Sequence, residues 1–378
     1  MNSRVLSLDA FRGFAIAAML LVNNPGDWGH VYAPLLHAKW NGWTFTDWVF
    51  PFFVFISGMA MALSLARRAQ AGADRTALLL NTARRALVII GIGLLLNLIP
   101  SFNFETLRIP GVLQRLGLCT LAAAPIIIWC GRRGVALWAV ALMALYSLIQ
   151  LGLPVPDAEG IVHVGLLEPG KDAGAWVDRL LLGQAHLWKV ARTWDPEGLL
   201  STLPSVASQL LGALAGYVLA SNKQPAEKAM SWVLAGLASL WLGQVLDSLL
   251  MPINKSLWTP AYVFAMAGWA LLVFAVFYWL LDAMPQPLAR ERWARVLHPL
   301  VVFGMNALFL FALSGLLAKM LYTVKLADGG SLGRALYAPL RDSGLAPMNA
   351  SLLHAIAFVA VMYAIAWLMH RRRWFIKV

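Results

Sequence analysis

Charge is scarce in this chain. Asp, Glu, Lys and Arg together make up 13% of 378 residues, hydrophobic residues make up 60%, and the mean hydropathy is +0.69. A water-soluble globule of this length would lack the polar surface it needs, so the composition excludes that class and points to a protein embedded in a bilayer. Acidic residues are the scarcer sign, 18 against 30 basic, for a formal charge of +12. The excess does not read as a nucleic-acid surface, because no basic run is interleaved with aromatics in a polar segment. The Lys and Arg punctuate apolar stretches instead, as topology signals do. Cysteine is nearly absent: Cys119 and Cys130 share one apolar segment, about 16 Å apart along a helix, which rules out a disulfide between them while the helix holds. Neither a zinc nor a redox spacing is present, and the seven histidines form no HExxH-like pattern, so no metal is expected. Fixed-period repeats and low-complexity segments are also lacking. The apolar run 14–22 after Arg4 and Arg12 leads into Asn23, Asn24, Pro25 and Gly26 with no small-x-small cleavage site, and reads as a retained first helix rather than a signal peptide.

What the chain does have is apolar length. Spans of about 20 residues are expected at roughly 5–24, 45–66, 86–100, 111–130, 134–153, 199–221, 230–250, 260–282, 298–320 and 350–370, the third being short unless it begins at Leu78. With ten spans and the N-terminus inside, the inner loops and tails carry Arg4, Arg12, Arg67, Arg68, Arg75, Arg84, Arg85, Arg132, Arg133, Lys223, Lys228, Arg290, Arg292, Arg295, Arg371, Arg372, Arg373 and Lys377, which is 18 of the 30 basic residues. Both termini are therefore expected in the cytoplasm, since the opposite orientation would put residues 371–373 outside. The expected architecture is all-α, a polytopic membrane protein with one transmembrane domain over 1–378. Its outer side would receive the two longest stretches taken as non-helical, 154–198 and 321–349, and the loops 25–44, 101–110 and 251–259. In WDPEGLL (194–200), Asp195 is placed to cap a helix, Pro196 to open it and Glu197 to meet the positive end of its dipole.

Polar side chains within spans are costly, and each is by default a candidate for function: Asp9, Arg12, Asn23, Asp47, Asn97, Gln114, Arg115, Gln209, Gln244, Asp247, Asn306 and His354. About half lie near predicted helix ends, where interfacial placement explains them. The segment LLHAKWNGWTFTDWVFPFFVFISG (35–58) is the most informative. Thr46 or Asp47 is placed to cap the second span. His37 can take up and return a proton at neutral pH, and a nearby carboxylate would fix its tautomer. Asn23, at the outer end of the first span, offers an amide to a developing oxyanion. Histidine, amide and carboxylate on adjoining ends of one helix pair suit acyl transfer.

SLDAFRGFAIAAMLLVN (7–23), HAKWNGWTFTDWVFPFFVFISG (37–58), RIPGVLQRLG (108–117), DPEGLLSTLPS (195–205), PINKSLWTPAYV (252–263) and GMNALF (304–309) occur in order across nearly the whole chain. Together they resemble the heparan-α-glucosaminide N-acetyltransferase family, whose bacterial branch includes inner-membrane proteins associated with N-acetylglucosamine use. The resemblance implies a transmembrane acetyltransferase that draws acetyl-CoA from the cytosol and acetylates a glucosamine amine on the far side, here the periplasm. It assigns the essential histidine to His37, the catalytic asparagine to Asn23 and the helix-start aspartate to Asp47. It admits a homodimer, as in the animal members. Those members carry an additional luminal N-terminal region, and this chain starts almost directly at its first span, so recognition of a long glycan is not expected; the acceptor is left open among free glucosamine, a cell-wall or chitin fragment and another amine. The segment between Asn23 and His37 is a few residues longer than in the family.

On this reading the coenzyme's nucleotide lies near the cytoplasmic face and its pantetheine arm threads a cleft between helices, with Arg12, Arg115 and Asn306 as its contacts. His37 then acts as general base, or carries the acetyl group itself before transfer. The rival expectation is an amino-sugar permease of the inner membrane, although no matching pair of interrupted helices argues for an inverted repeat. A structural or receptor protein would explain the spans but not the motifs.

Overall fold

The computed structural model describes residues 5–327 and 329–376; Arg4 and Lys377, counted above as topology signals, lie outside them. The protein is an all-α polytopic membrane protein. Among the described residues nine helices are long and apolar enough to cross a bilayer, and a tenth span is broken. In chain order the elements are α1 (Leu6–Asn23), α2 (Thr46–Met61) running through a π-helical turn into α3 (Arg67–Gln70), α4 (Arg75–Leu98), α5 (Val112–Trp129) and α6 (Gly131–Gly152). A two-stranded hairpin follows, β1 (Pro154–Pro156) with β2 (Val162–Val164), then α7 (Ala173–Leu182), α8 (Thr202–Ala220), α9 (Pro225–Leu249) and α10 (Pro260–Tyr278), which also ends in a π-helical turn. The chain closes with α11 (Pro287–Val296), α12 (His298–Met305), α13 (Ala307–Thr323), α14 (Leu332–Arg341) and α15 (Pro347–Arg371).

Three expectations needed revision. The third span is a full helix of 24 residues, because Asp74 caps it by accepting from Thr76 N–H and the Arg84–Arg85 pair lies on its exposed face rather than before it. The ninth span is two helices bent by 80° at Asn306. The stretches 154–198 and 321–349 each contain a ten-residue helix, α7 and α14, begun by Asp172 and Ser331 as side-chain caps.

Small residues set the core. Water-driven burial cannot bring helices together in hydrocarbon, so close backbone approach and dispersion have to. A Cβ on Gly13 would lie 1.7 Å from the Leu300 carbonyl oxygen and one on Gly304 1.9 Å from that of Asp9, so α1 and α12 cross at glycine on both sides. Gly58 and Gly212 do the same for α2 and α8, at 1.8 Å from Gln209 O and 2.0 Å from Phe55 O. Around these crossings Phe11, Phe52 and Phe274 pack together, and Trp48 stacks on Trp269 with centroids 4.6 Å apart. The inner helices α1, α2, α8 and α10 are mostly buried, while α4, α9 and α15 turn most of their surface outward. At one end of this bundle the loops before α2, α5, α8 and α10 meet and hydrogen-bond to one another.

Candidate active site

Asp47 is the second residue of α2 and its carboxylate is 1% exposed. It does not cap the helix. The N-cap is Phe45, without a side-chain bond, and Asp47 reaches back into the preceding loop. Its Oδ2 accepts from Thr44 N–H at 2.9 Å, Ala38 N–H at 3.0 Å and Thr44 Oγ1 at 3.2 Å, while Oδ1 lies 2.6 Å from His37 Nδ1. One carboxylate thus folds the loop and aims the imidazole. With Nδ1–H donated to a buried carboxylate, the ring presents Nε2 from a side chain that remains 50% exposed.

The loop between α9 and α10 closes on the same place. Gly42 N–H donates to Ile253 O at 2.7 Å, Asn254 Nδ2 to Asn41 Oδ1 at 3.1 Å, and the Tyr262 hydroxyl to Asp47 O at 2.6 Å. Lys255 Nζ stands 3.1 Å from both ring nitrogens of His37 and 3.9 Å from Asp47 Oδ1. With Nδ1 donating to Asp47, Nε2 is the ring nitrogen left to accept a proton, and the ammonium lies beside the ring. Burial pulls the Lys255 ammonium below the ordinary lysine range, against the opposing carboxylates of Asp47 and Glu197. Lys255 was not among the candidates read from the sequence, because it lies in a loop where a lysine costs nothing; its one signal was its place in PINKSLWTPAYV. The loop is held rigid by Asn254, whose Oδ1 accepts from Leu257 N–H, and by Thr259, which caps α10.

Behind Lys255 is a cluster of charges. DPEG does not open a helix: α8 starts at Thr202, and Asp195 folds the four residues into a turn by accepting from Glu197 N–H at 3.0 Å. Both carboxylates then clamp Arg108, with Asp195 at 2.8 and 2.6 Å and Glu197 at 2.6 Å. Burial alone would raise the Glu197 carboxyl, but Arg108, Arg115 and Lys255 hold it below the usual range. Burial of the nearby Asp178, which accepts from Leu199 N–H, pushes its carboxyl up to about 7. Arg115 is fully buried beside this turn, donating to Gly198 O at 2.9 Å and to Ser201 Oγ, with its guanidinium 5.2 Å from the Trp258 ring centroid. Its Nε and Nη1 have no hydrogen-bond partner among the described residues.

The other expected contacts lie elsewhere. Arg12 and Asn306 both line a cavity of about 270 Å³ with Arg85, Ser57, Phe53 and Leu116, so the structure joins these two and leaves Arg115 apart. Arg12 Nη1 is 3.2 Å from Asp9 Oδ1 and 3.4 Å from Gly304 O. Asn306 donates to Trp374 O at 3.0 Å and accepts from Ile376 N–H at 2.9 Å, so its amide is engaged by the chain's own tail. Asn23 is the exposed last residue of α1 and its amide has no hydrogen bond to His37 or Asp47. Other histidines are tied locally, His30 to Asp27 and His163 to Asp157, each at 2.8 Å, and among the described residues no group of three or more His, Cys, Asp or Glu could hold a metal ion.

Residues 4–179, which include His37, Asp47, Arg108 and Arg115, match the family model for heparan-alpha-glucosaminide N-acetyltransferase, catalytic. The heparan-alpha-glucosaminide N-acetyltransferase of Homo sapiens is 30% identical over 360 residues, covering 82% of this chain and 52% of that protein. That of Mus musculus is 28% identical over 361 residues, covering 82% and 53%. The chain spans about half the length of these curated relatives. Motifs in order along nearly all of the sequence, a family match that takes in the His37–Asp47 pair, and relatives of one name agree: over 82% of its length the chain is similar to the heparan-alpha-glucosaminide N-acetyltransferases.

Proposed function

We propose that the protein is a membrane acetyltransferase, passing the acetyl group of acetyl-CoA to the amine of a glucosamine-type sugar. The observation that carries this reading is the imidazole of His37, fixed through Nδ1 by buried Asp47, with Nε2 left as its accepting nitrogen and the Lys255 ammonium beside the ring. The acceptor amine takes the place of that ammonium. Nε2 removes a proton as the amine nitrogen attacks the thioester carbonyl, the C–S bond breaks, and the proton passes to the departing thiolate. The displaced Lys255 stays within reach of the negative charge that develops on the carbonyl oxygen. Asn23 is the further oxyanion donor; its amide is free of intrachain bonds among the described residues, whereas Asn41 and Asn254 bond to each other. The cavity at Arg12, Arg85 and Asn306 suits the coenzyme, because it offers cations for phosphate and the polar Ser57 and Asn306 along its wall. The unpartnered nitrogens of Arg115 would contact its acyl end.

In this reading residues 1–378 form one transmembrane domain in a bacterial inner membrane. Both termini are cytoplasmic, 154–198 and 321–349 are periplasmic, and the domain can pair as a homodimer. The test is reconstitution in liposomes with acetyl-CoA inside and glucosamine outside. N-acetylglucosamine is expected outside; product confined to the interior reverses the orientation. Glucosamine crossing without thioester consumption makes the protein a permease. Trapping of an acetylated His37 replaces direct transfer with a two-step route.

A further inference from the structure

A second cavity lies away from His37 and from the Arg12 cavity. A groove of about 510 Å³ lies between α6 and α9 over α8 and α10, with Leu211, Leu214, Val218 and Leu271 among its lining. At its mouth, in the first turn of α6, stand Arg132 and Arg133. Both are exposed, and neither makes a hydrogen bond or ion pair among the described residues. Two unpartnered guanidiniums at the entrance of an apolar trough ask for an anion joined to a hydrocarbon chain.

Acetyl-CoA also joins an anionic head to a long arm, but the arm decides against it. Pantetheine carries two amides that need partners when buried, and among the described residues the groove's lining offers, apart from the arginines, only the side-chain hydroxyl of Ser239. An acyl chain needs none. The volume falls in the range of small-molecule sites, and basic pockets between transmembrane helices recognise acidic headgroups through charge and geometry. We propose that this groove is a binding site for an anionic phospholipid, with the phosphate held by Arg132 and Arg133 and one acyl chain laid along α8. The arginines hold the headgroup at the membrane surface while the chain fills the space between α6 and α9, so the lipid stands where a helix–helix contact would otherwise be.

Native mass spectrometry of the detergent-purified protein, titrated with phosphatidylglycerol or with phosphatidylcholine of the same chains, tests this. The unmodified protein is expected to retain phosphatidylglycerol about tenfold or more over phosphatidylcholine, the scale set by two basic side chains facing one acidic headgroup. Both changed positions in R132Q/R133Q are exposed, so the variant should fold normally and lose the preference. Ala235→Leu, which fills the groove without touching charge, should lower retention of both lipids. Equal retention of the two lipids by the unmodified protein overturns the proposal, as does a preference that survives in R132Q/R133Q. Release of bound phosphatidylglycerol by added coenzyme A would also overturn it, by giving the groove to the coenzyme.

Discussion

The two ends of the helix bundle use charge in opposite ways. At the end where α2, α5, α8 and α10 begin, the loops are long and charges pair around buried carboxylates: His37 with Asp47, Arg108 with Asp195 and Glu197, and Lys255 between the two groups. At the other end the loops are short and Arg67, Arg68, Arg75, Arg132, Arg133, Arg290, Arg292 and Arg295 all lie exposed. A charge in water at a helix end costs little and sets topology. A charge taken out of water must be matched, and a matched group is held in one position. The first arrangement tolerates substitution without loss of the fold; the second positions chemistry.

That contrast can be broken or sharpened by mutation. The largest expected effect is His37→Ala, which should lower acetyl transfer by about 10²–10⁴-fold with coenzyme binding retained; a smaller loss in steady-state kinetics would mean that the paired end is scaffolding only. Arg108→Met leaves two carboxylates without their cation and should cost about 3–5 kcal/mol in thermal unfolding. The depressed Glu197 carboxyl gives this pairing a pH dependence: its contribution is present above the unfolded value near 4.5 and is lost as the pH falls through the lower folded value. Asp178→Asn should have the opposite sign. The Asp178 carboxyl is raised from 3.8 to about 7, so the stability it contributes is full below pH 3.8 and is lost as the pH rises to about 7. At pH 8 the variant should be the more stable by on the order of 2–4 kcal/mol, and a difference that does not grow between pH 4 and 7 would contradict the burial argument. Lys255 is to be charged in the active form, so kcat/KM should fall on the alkaline side below the ordinary lysine range, and Lys255→Arg should move that limb upward. At the exposed end Arg68→Gln should change stability by less than about 0.5 kcal/mol; a larger shift there would erase the contrast.

How much of this was legible depends on how local the cause was. His37 and Asp47 are ten positions apart, within one motif, and their pairing follows from a loop short enough to fold back on its helix. The helix ends were readable wherever apolar length or a capping residue fixed them, as at α10, where Thr259 caps and Pro260 follows. DPEG misled because the same Asp and Pro chemistry begins helices and builds turns, and what decides between them is Arg108, 87 positions away. Asn306 depends on a distant segment in the same way. Its amide lines the cavity beside Arg12, but its donor and its acceptor are engaged by the tail at 374–376, next to the break in the helix.

Composition and the period of its apolar runs were enough to determine a multi-span membrane protein, because hydrocarbon leaves a backbone few ways to satisfy its polar groups and helices are the simplest. The motifs were enough to single out His37. That Lys255 would meet its ring from 218 positions away, that Asn23 would not bond to it, and that Arg12 and Asn306 would share a cavity without Arg115 depended on how the helices cross. Those crossings are set by close contacts such as Gly13 with Leu300 and Gly58 with Gln209, and contact between distant segments is a property of packing that no local pattern encodes.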